Sequence, residues 1–467
     1  MPSFHFSAVN LGCSKNLVDL EFAIGQVLKF SGTHDVQYYE DPEDPAAEWT
    51  LVNTCGFLSS SRQESEETLA RFDRLGKKLV LMGCYVSVKD DAFLAGLKNL
   101  HTVLPFTSYE NLEKLVTGQQ VSGAIDVSKV DRLKGKLRAA QEAKLADYLG
   151  SVGGNQIKTK AFVWKGDEVR AYMHAPFGHE YLKVAEGCDN NCSFCIIPKI
   201  RGRQKSRPLA DVLKEAAQMV AEGIREIQVI SQDTTRYGTD LPGKPTLMDL
   251  LEGLEALPGD FTFRVYYLYP DLLTLAHLKK LVGFKKFVPW FDIPFQHIAP
   301  GVLKRMGRFY DRAQIDALLD FLDANFPDKI VRTSFIVGFP GETDADFQEL
   351  LDFVAQRKFA SVGVFQYHDE PLAASSKLDA KVPEDIARAR MEKLGALLEK
   401  VYDERAKARK GKQFSGYVMD VQGKTVTVRP TLSAPEVDEY DQVPLSALSP
   451  ADRKGVEIGK FVTYQLG

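Results

Sequence analysis

Residues 186–202 read EGCDNNCSFCIIPKIRG, and this stretch holds half of the six cysteines of the chain. Cys188, Cys192 and Cys195 are separated by three and then by two residues. A zinc ion normally takes four protein ligands and a disulfide joins two thiols, so three cysteines suit neither arrangement. Thiolate is a soft ligand that favours iron–sulfur clusters, zinc or copper(I). A four-iron cluster held by three cysteines would leave one iron free to bind a substrate.

The composition of the chain is that of an ordinary globular protein. Its 467 residues are too many for a single core and predict about three domains. The formal net charge is only -4, which excludes a global field that would attract nucleic acid or an anionic membrane. The N-terminal residues lack a signal-peptide pattern and no run of 18 apolar residues occurs, so we expect a cytoplasmic protein. In that reducing compartment the cysteines are expected to be metal ligands or catalytic thiols.

Residues 1–120 alternate short apolar runs with helical patterns, which predicts a doubly wound parallel sheet, part of an α/β fold. The runs are FSAVNLG, VQYYE, TLVNT, KLVLMG and HTVLP. The remaining cysteines, Cys13, Cys55 and Cys84, each follow one of these predicted strands. Ligands of open α/β sheets bind beyond the carboxyl ends of the strands, so we expect these three thiols to converge there.

The rest of the chain divides into three further segments. Residues 121–177 are interpreted as a connector with a charged helix at 126–149 and a hairpin about Lys165, Gly166 and Asp167. Residues 178–400 contain six strand patterns separated by helical ones, which fits a complete or partial β/α barrel of the TIM type. Residues 401–467 have short alternating strands, which predict a small β-barrel.

The Cys188-Cys192-Cys195 spacing, the aromatic Phe194 and the barrel that starts at the preceding strand together resemble the radical S-adenosylmethionine (SAM) superfamily. The resemblance implies a 4Fe-4S cluster whose open iron chelates SAM, and a 5'-deoxyadenosyl radical that removes a hydrogen atom from an unactivated carbon. It also implies SAM contacts at predicted strand ends: Phe194, Ser231, Gln232, Gln296, Ile336 and Gly338. Two alternatives stay open here: a zinc site completed by a histidine such as His179, and a simple turn at Gly338 before a helix capped by Thr343.

An N-terminal three-cysteine domain, a central radical SAM domain and a terminal β-barrel similar to the OB-like TRAM domain together resemble the methylthiotransferase family over nearly the whole chain. That resemblance implies a second 4Fe-4S cluster at Cys13, Cys55 and Cys84, with SAM as both methyl donor and radical source. We expect an electron donor such as flavodoxin or ferredoxin as a partner, and the balanced charge and the lack of long apolar runs predict no membrane partner. The motifs LGCSKNLVD, NTCGF, ISQDTTRYG and DIPFQHIAPGVLKRMGR are similar to the branch that modifies an aspartate β-carbon of small-subunit ribosomal protein S-twelve.

Charge in the last domain gives an independent hint about the partner. No Lys or Arg occurs between Arg429 and Arg453, and four acidic residues cluster within this interval: Glu436, Asp438, Glu439 and Asp441. Such a surface would repel phosphates and attract a basic ribosomal protein, although a merely solvated acidic loop is the alternative. Two other functions stay open: a transfer RNA methylthiotransferase that binds RNA through Lys412, Lys424 and Arg429, and a zinc-stabilised, non-catalytic ribosome-binding protein.

Overall fold

The computed structural model describes residues 3–104, 110–118, 160–164, 168–173 and 178–467. The chain forms two compact units. The first comprises Met1–Pro176, Glu180–Asp189 and Ile196–Ile224, and the second comprises Phe177–His179, Asn190–Cys195 and Arg225–Gly467. The predicted helix at 126–149 and the turn at 165–167 lie outside the described residues.

The first unit contains the predicted N-terminal parallel sheet, and all five apolar runs are strands of it. The strands are β1 (Ser3–Asn10), β2 (Asp35–Tyr38), β3 (Trp49–Thr54), β4 (Lys78–Gly83) and β5 (Leu100–Val103). They lie in the order β2-β1-β3-β4-β5 and every pair is parallel. The order reverses between β1 and β3, which makes that edge a topological switch point.

Helices cover both faces of this sheet, which confirms the doubly wound arrangement. They are α1 (Ser14–Leu28), α2 (Ser59–Arg74), α3 (Asp91–Ala95) and α4 (Glu110–Thr117). On one face Leu51 packs in a core with residues of α1 and α4, and on the other Val52 packs in a core with Leu69 and Phe72 of α2. Successive strand residues point to opposite faces, so a continuous apolar run such as TLVNT supplies both cores.

The remaining elements of the first unit are short strands and two helices. They are β6 (Lys160–Trp164), β7 (Glu168–Tyr172), most of β8 (His179–Lys183), β9 (Ala185–Glu186), α5 (Ile197–Arg201), β10 (Lys205–Ser206) and α6 (Leu209–Ala221). β6 and β7 pair antiparallel, as the predicted hairpin requires. Arg170 of β7 is fully buried and pairs with Glu21 of α1 at 2.6 Å and with Glu215 of α6 at 2.7 Å. These ion pairs fix α1, the helix that begins directly after Cys13.

The second unit contains a parallel sheet and six helices. Its strands are β11 (Glu226–Ile230), β12 (Thr262–Val265), β13 (Phe287–Asp292), β14 (Ile330–Val337) and β15 (Ser361–Gln366), in that order across the sheet. Its helices are α7 (Leu247–Ala256), α8 (Leu275–Leu281), α9 (Pro300–Met306), α10 (Arg312–Asn325), α11 (Asp344–Arg357) and α12 (Glu384–Arg409). Thr343 caps α11 with a full capping box, as the sequence predicted.

The C-terminal part of the second unit is a curled antiparallel sheet. It consists of β16 (Gln413–Gln422), β17 (Thr425–Pro430), β18 (Asp441–Pro444) and β19 (Phe461–Gln465), in the order β18-β17-β16-β19. A bridge from Leu448 to Tyr464 of β19 draws the two edges together, so the sheet forms a half-barrel. Among the described residues, no helix is long and apolar enough to cross a membrane.

Candidate metal and cofactor sites

The three N-terminal cysteines follow three neighbouring strands. Cys55 and Cys84 come directly after β3 and β4, and Cys13 follows β1 and precedes α1. The register pairs Asn10 with Asn53 and Thr54 with Gly83, so the three strands end level with one another. The structure therefore places all three cysteines at the carboxyl edge of the sheet, at the switch point where open α/β sheets bind ligands.

Asn16, in the first turn of α1, connects these cysteines. Its Oδ1 atom lies 3.5 Å from the Sγ atoms of both Cys13 and Cys84, so the two sulfurs are at most twice that distance apart. Its Nδ2 atom donates to the backbone oxygen of Thr54 at 2.9 Å, which ties the residue before Cys55 to the same point. A Cβ at Gly56 would lie 2.8 Å from the Cys84 backbone oxygen, so only glycine allows this approach.

The pKa values of the Cys13 and Cys84 thiols are shifted in opposite directions. Burial raises the pKa of Cys84, although the nearby Arg201 guanidinium acts against that rise. Desolvation also acts to raise the pKa of Cys13, but the positive charges of Lys15 and Arg201, together with hydrogen bonds from the backbone of Asn16 and Lys15, outweigh it and the net pKa is lowered. Positive charge beside the group thus favours the thiolate form that binds metal.

The donor set fits an iron–sulfur cluster better than a single ion. Within the part of the chain that the structure describes, no three His, Cys, Asp or Glu side chains are close enough to hold one metal ion. A 4Fe-4S cluster presents a separate iron to each thiolate, so its cysteines need only surround a common space. Three soft thiolates at one sheet edge suit that requirement.

The central cysteines lie in the loop that follows β9. Cys188 is buried, and its backbone N–H donates to the oxygen of Gly202 at 3.1 Å within the first unit. Within the second unit, Ser193 anchors the other half of the loop: its N–H donates to Met306 at 2.9 Å and its hydroxyl to the backbone of Arg305 at 2.7 Å. The end of α9 therefore fixes the peptide between Cys192 and Cys195.

Arg308 is a buried cation next to this half of the loop, and sequence analysis did not identify it. Its guanidinium lies 4.3 Å from the ring centroid of Tyr269 and 5.6 Å from that of Phe194. The Tyr269 hydroxyl in turn lies 3.7 Å from Cys192 Sγ. The Nε and Nη1 atoms of Arg308 are enclosed and have no hydrogen-bond partner among the described residues. Because a buried cation without an anion is costly, the site is suited to an anionic ligand.

The six predicted SAM contacts all lie in the second unit, at or beyond strand ends, with Phe194 in the cysteine loop. Ser231 and Gln232 follow β11, and the Ser231 hydroxyl lies 3.1 Å from that of Thr234. Gln296 bonds to β14 twice, through its N–H to the oxygen of Ser334 at 2.7 Å and through its oxygen to the N–H of Ile336 at 2.8 Å. Gly338 follows β14 with φ of 74°. Gln296 and Ile336 are therefore brought together.

The four predicted docking residues divide into two pairs. Asp438 accepts hydrogen bonds from Trp290 at 2.7 Å and from the N–H of Ala434 at 2.8 Å. Asp441 pairs with Arg409 at 2.7 Å and accepts from the Tyr464 hydroxyl at 2.5 Å. Both aspartates thus hold the acidic segment in place, whereas Glu436 and Glu439 are exposed.

The three residues predicted to bind RNA in the alternative function differ in their exposure. Lys412 and Lys424 are exposed, but Arg429 is fully buried and pairs with Glu226 at 2.7 Å. Arg429 is therefore a structural residue and unavailable to phosphates. Two lysines alone form a weak electrostatic footprint for a nucleic acid.

Comparison with known proteins agrees with this geometry. The family described as "Radical SAM superfamily" matches residues 182–354, and "Uncharacterized protein family UPF0004" matches residues 5–104. These ranges contain the central and the N-terminal cysteines, respectively. Radical SAM membership implies a 4Fe-4S cluster and SAM.

Among solved structures, the radical SAM methyltransferase TsrM from Kitasatospora setae shares the fold, with a TM-score of 0.54 at 14% identity over 99% of this chain and 86% of that one.

Similar sequences cover almost the full chain. Proteins named "Ribosomal protein uS12 methylthiotransferase RimO" are 32% identical in Clostridioides difficile, over 98% of this chain and 95% of the relative, and 34% identical in Dictyoglomus thermophilum, over 98% of each. The relative of that name in Aquifex aeolicus is 33% identical over 98% of this chain and 95% of its own length. The chain therefore belongs to the RimO family of radical SAM methylthiotransferases.

Proposed function

We propose that this protein transfers a methylthio group to the β-carbon of an aspartate in ribosomal protein uS12, using two 4Fe-4S clusters. One cluster is held by Cys188, Cys192 and Cys195, and the other by Cys13, Cys55 and Cys84. The proposal rests mainly on the position of Cys13, Cys55 and Cys84, which all lie at the switch point of the N-terminal parallel sheet. The names of the full-length relatives support uS12 as the substrate.

The chain's own residues supply binding and orientation. When bound, the central cluster and SAM supply one-electron chemistry that activates a carbon–hydrogen bond. Phe194, Ser231, Gln232, Gln296, Ile336 and Gly338 would line the SAM site, and Arg308 offers unpaired donors for the SAM carboxylate. A flavodoxin-type or ferredoxin-type donor would supply the electron.

The four-part division 1–120, 121–177, 178–400 and 401–467 remains a proposal about domain organisation. It assigns the second cluster, the connector, the radical chemistry and the docking surface to successive segments. Within the last segment, the exposed Glu436 and Glu439 are the proposed contacts for a basic protein. Asp438 and Asp441 hold this segment in place through their bonds to Trp290 and Arg409.

Iron content tests the two-cluster proposal. Replacing either set of three cysteines by alanine in the anaerobically reconstituted full chain should leave half of the iron and sulfide. The variant without Cys13, Cys55 and Cys84 should still cleave SAM to 5'-deoxyadenosine under strong reductant, but it should form no methylthiolated product. Loss of all iron in either variant would contradict two separate clusters.

The substrate is tested in cells. Mass spectrometry of ribosomal proteins and transfer RNA from cells lacking this protein should show uS12 without its methylthio group and transfer RNA unchanged. Loss of a transfer RNA modification with intact uS12 would overturn the assignment of the substrate.

A further inference from the structure

Arg201 has its guanidinium beside the N-terminal cysteines, although it belongs to the segment that follows the central ones. It is the last residue of α5, six positions after Cys195 in the sequence, and it is buried. Its Nε atom donates to the Sγ atom of Cys84 at 3.2 Å, and its Nη2 atom donates to Asn16 Oδ1 at 2.7 Å. Asn16 is the residue that connects Cys13 with Cys84. Arg201 thus donates hydrogen bonds both to Cys84, a predicted cluster ligand, and to Asn16, which contacts the sulfurs of Cys13 and Cys84.

Two carboxylates hold this guanidinium in its orientation. Its Nη1 atom lies 3.1 Å from Asp19 Oδ2 and 2.8 Å from Glu186 Oε1. With these bonds all three nitrogens of Arg201 are engaged, so its position relative to Cys84 is fixed. The planar fork of arginine is suited to this role, because several donors act at once from one rigid group.

The same carboxylates also bind a second cation. Lys183 pairs with Asp19 and, at 2.7 Å, with Glu186. The four side chains carry two positive and two negative charges, so their net charge is zero. Removing either cation leaves a net charge of -1 beside the cysteines, but Arg201 is the cation with a hydrogen bond to sulfur.

We propose that Arg201 is a positioning residue for the cluster at Cys13, Cys55 and Cys84: it fixes the Cys84 sulfur and raises the reduction potential of that cluster. The inference rests on the proposed function, which places a cluster there. Hydrogen bonds to ligand sulfurs and the local net charge both set the potential of an iron–sulfur cluster. Reduction adds negative charge to the cluster, so a fixed N–H donor that carries positive charge stabilises the reduced form.

The test uses the full chain with Cys188, Cys192 and Cys195 replaced by alanine, so that only the N-terminal cluster contributes. After anaerobic reconstitution with iron and sulfide, its midpoint potential is measured by an EPR-monitored titration. Arg201→Met removes the donor and the charge, and Arg201→Lys keeps the charge. Lys183→Met is the matched control, since it makes the same change in net charge and leaves the bond to Cys84 intact.

We expect Arg201→Met to lower the potential so that the ratio of oxidised to reduced cluster at the parent midpoint rises about tenfold, which for one electron is about 59 mV. The potential of Arg201→Lys should lie between those of the parent and Arg201→Met. Lys183→Met should shift the ratio by less than half as much as Arg201→Met does. Equal shifts in Arg201→Met and Lys183→Met, or no shift in Arg201→Met, would overturn the proposal.

Two controls separate this inference from other failures. A parent protein that binds no iron would contradict the proposed function itself, whatever Arg201 does. If Arg201→Met is folded by circular dichroism but retains too little iron to titrate, Arg201→Gln, which keeps an N–H donor without the charge, replaces it. A potential for Arg201→Gln equal to that of the parent overturns the electrostatic part of the proposal, and a lower one supports it.

Discussion

Glu226 is a single buried carboxylate that joins the parallel sheet of the second unit to the C-terminal half-barrel. It is the first residue of β11 and pairs with Arg264 of β12 and, at 2.7 Å, with Arg429 of β17. Burial alone would raise its pKa, but the two guanidinium groups outweigh burial and lower the pKa to about 2. The carboxylate therefore stays ionised, and the two buried arginines depend on it.

The first prediction concerns Glu226→Gln. The variant leaves two buried guanidinium groups without their anion, so at pH 7 its free energy of unfolding should fall by about 3–5 kcal/mol. The folded pKa is below the ordinary value of 4.5, so the stabilisation is fully present above pH 4.5 and is lost as the pH falls from there toward 2. Urea unfolding of the metal-free full chain measures the difference.

The exposed pair Glu384–Arg388 supplies the control, because Glu384→Gln should change the free energy of unfolding by less than about 1 kcal/mol. A difference between wild type and Glu226→Gln that is as large at pH 3 as at pH 7 would contradict the electrostatic explanation.

The second prediction concerns Arg308. If its unpaired nitrogens receive the carboxylate of SAM, Arg308→Met should weaken SAM binding tenfold or more, since hydrogen bonds to charged groups contribute about 1.5–3 kcal/mol. Equilibrium binding of SAM to the reconstituted protein, normalised to iron content, measures this. Arg308→Lys should recover part of the affinity. The adjacent Phe309 is exposed, so Phe309→Ala should bind SAM as tightly as wild type does. An unchanged affinity for SAM in Arg308→Met would show that the Arg308 guanidinium serves another ligand.

At the level of elements, the turn between β14 and α11 is shaped by packing as well as by any ligand. Gly338 has φ of 74°, and a Cβ there would lie 2.3 Å from the Cβ of Ala387 on α12. The glycine thus has a structural reason to be present, independent of the SAM contact that the family resemblance implies. Packing against Ala387 and contact with SAM would both exclude any side chain larger than that of glycine at position 338.

The third prediction compares Gly338, which packs against α12, with Gly395, which lies within α12. Gly338→Ala adds a side chain at positive φ and against Ala387, so it should lower the free energy of unfolding by more than about 1 kcal/mol. Gly395→Ala places a methyl group in open space within the helix and should stabilise by about 0.5–1 kcal/mol. Denaturant midpoints measure both. Adding Ala387→Gly to Gly338→Ala should recover part of the loss, and a complete absence of recovery would show that the overlap contributes nothing.

The elements predicted from sequence are those with a local signal. Strands buried on both faces are continuous apolar runs, and parallel topology then brings Cys13, Cys55 and Cys84 to one edge. β18 was missed because DQVP is short and mostly polar, and it is held by pairing with β17. Arg201 was missed because its partners Cys84 and Asp19 lie more than 100 residues away in the sequence, and no periodicity predicts such a contact.

At the scale of the whole molecule, the proposed reaction requires that a basic protein bind to a chain with almost balanced charge. The formal net charge of -4 gives little steering by itself, so recognition depends on a local surface. Glu436 and Glu439 are exposed beside Asp438 and Asp441, which are held by internal bonds. Reversing all four charges would therefore disrupt the segment, so the test is confined to the two exposed glutamates.

The final prediction is that Glu436→Lys with Glu439→Lys weakens the binding of uS12 without changing SAM cleavage. Exposed ion pairs contribute about 0.2–1 kcal/mol each, so two reversals should weaken binding roughly twofold to thirtyfold at low salt. Screening shortens the range of such interactions, so the difference from wild type should shrink as salt is raised. The matched control is Glu392→Lys with Glu399→Lys, which makes the same change in net charge at exposed positions of α12. Equal weakening in both double variants would show that overall charge, and not this acidic segment, attracts the substrate.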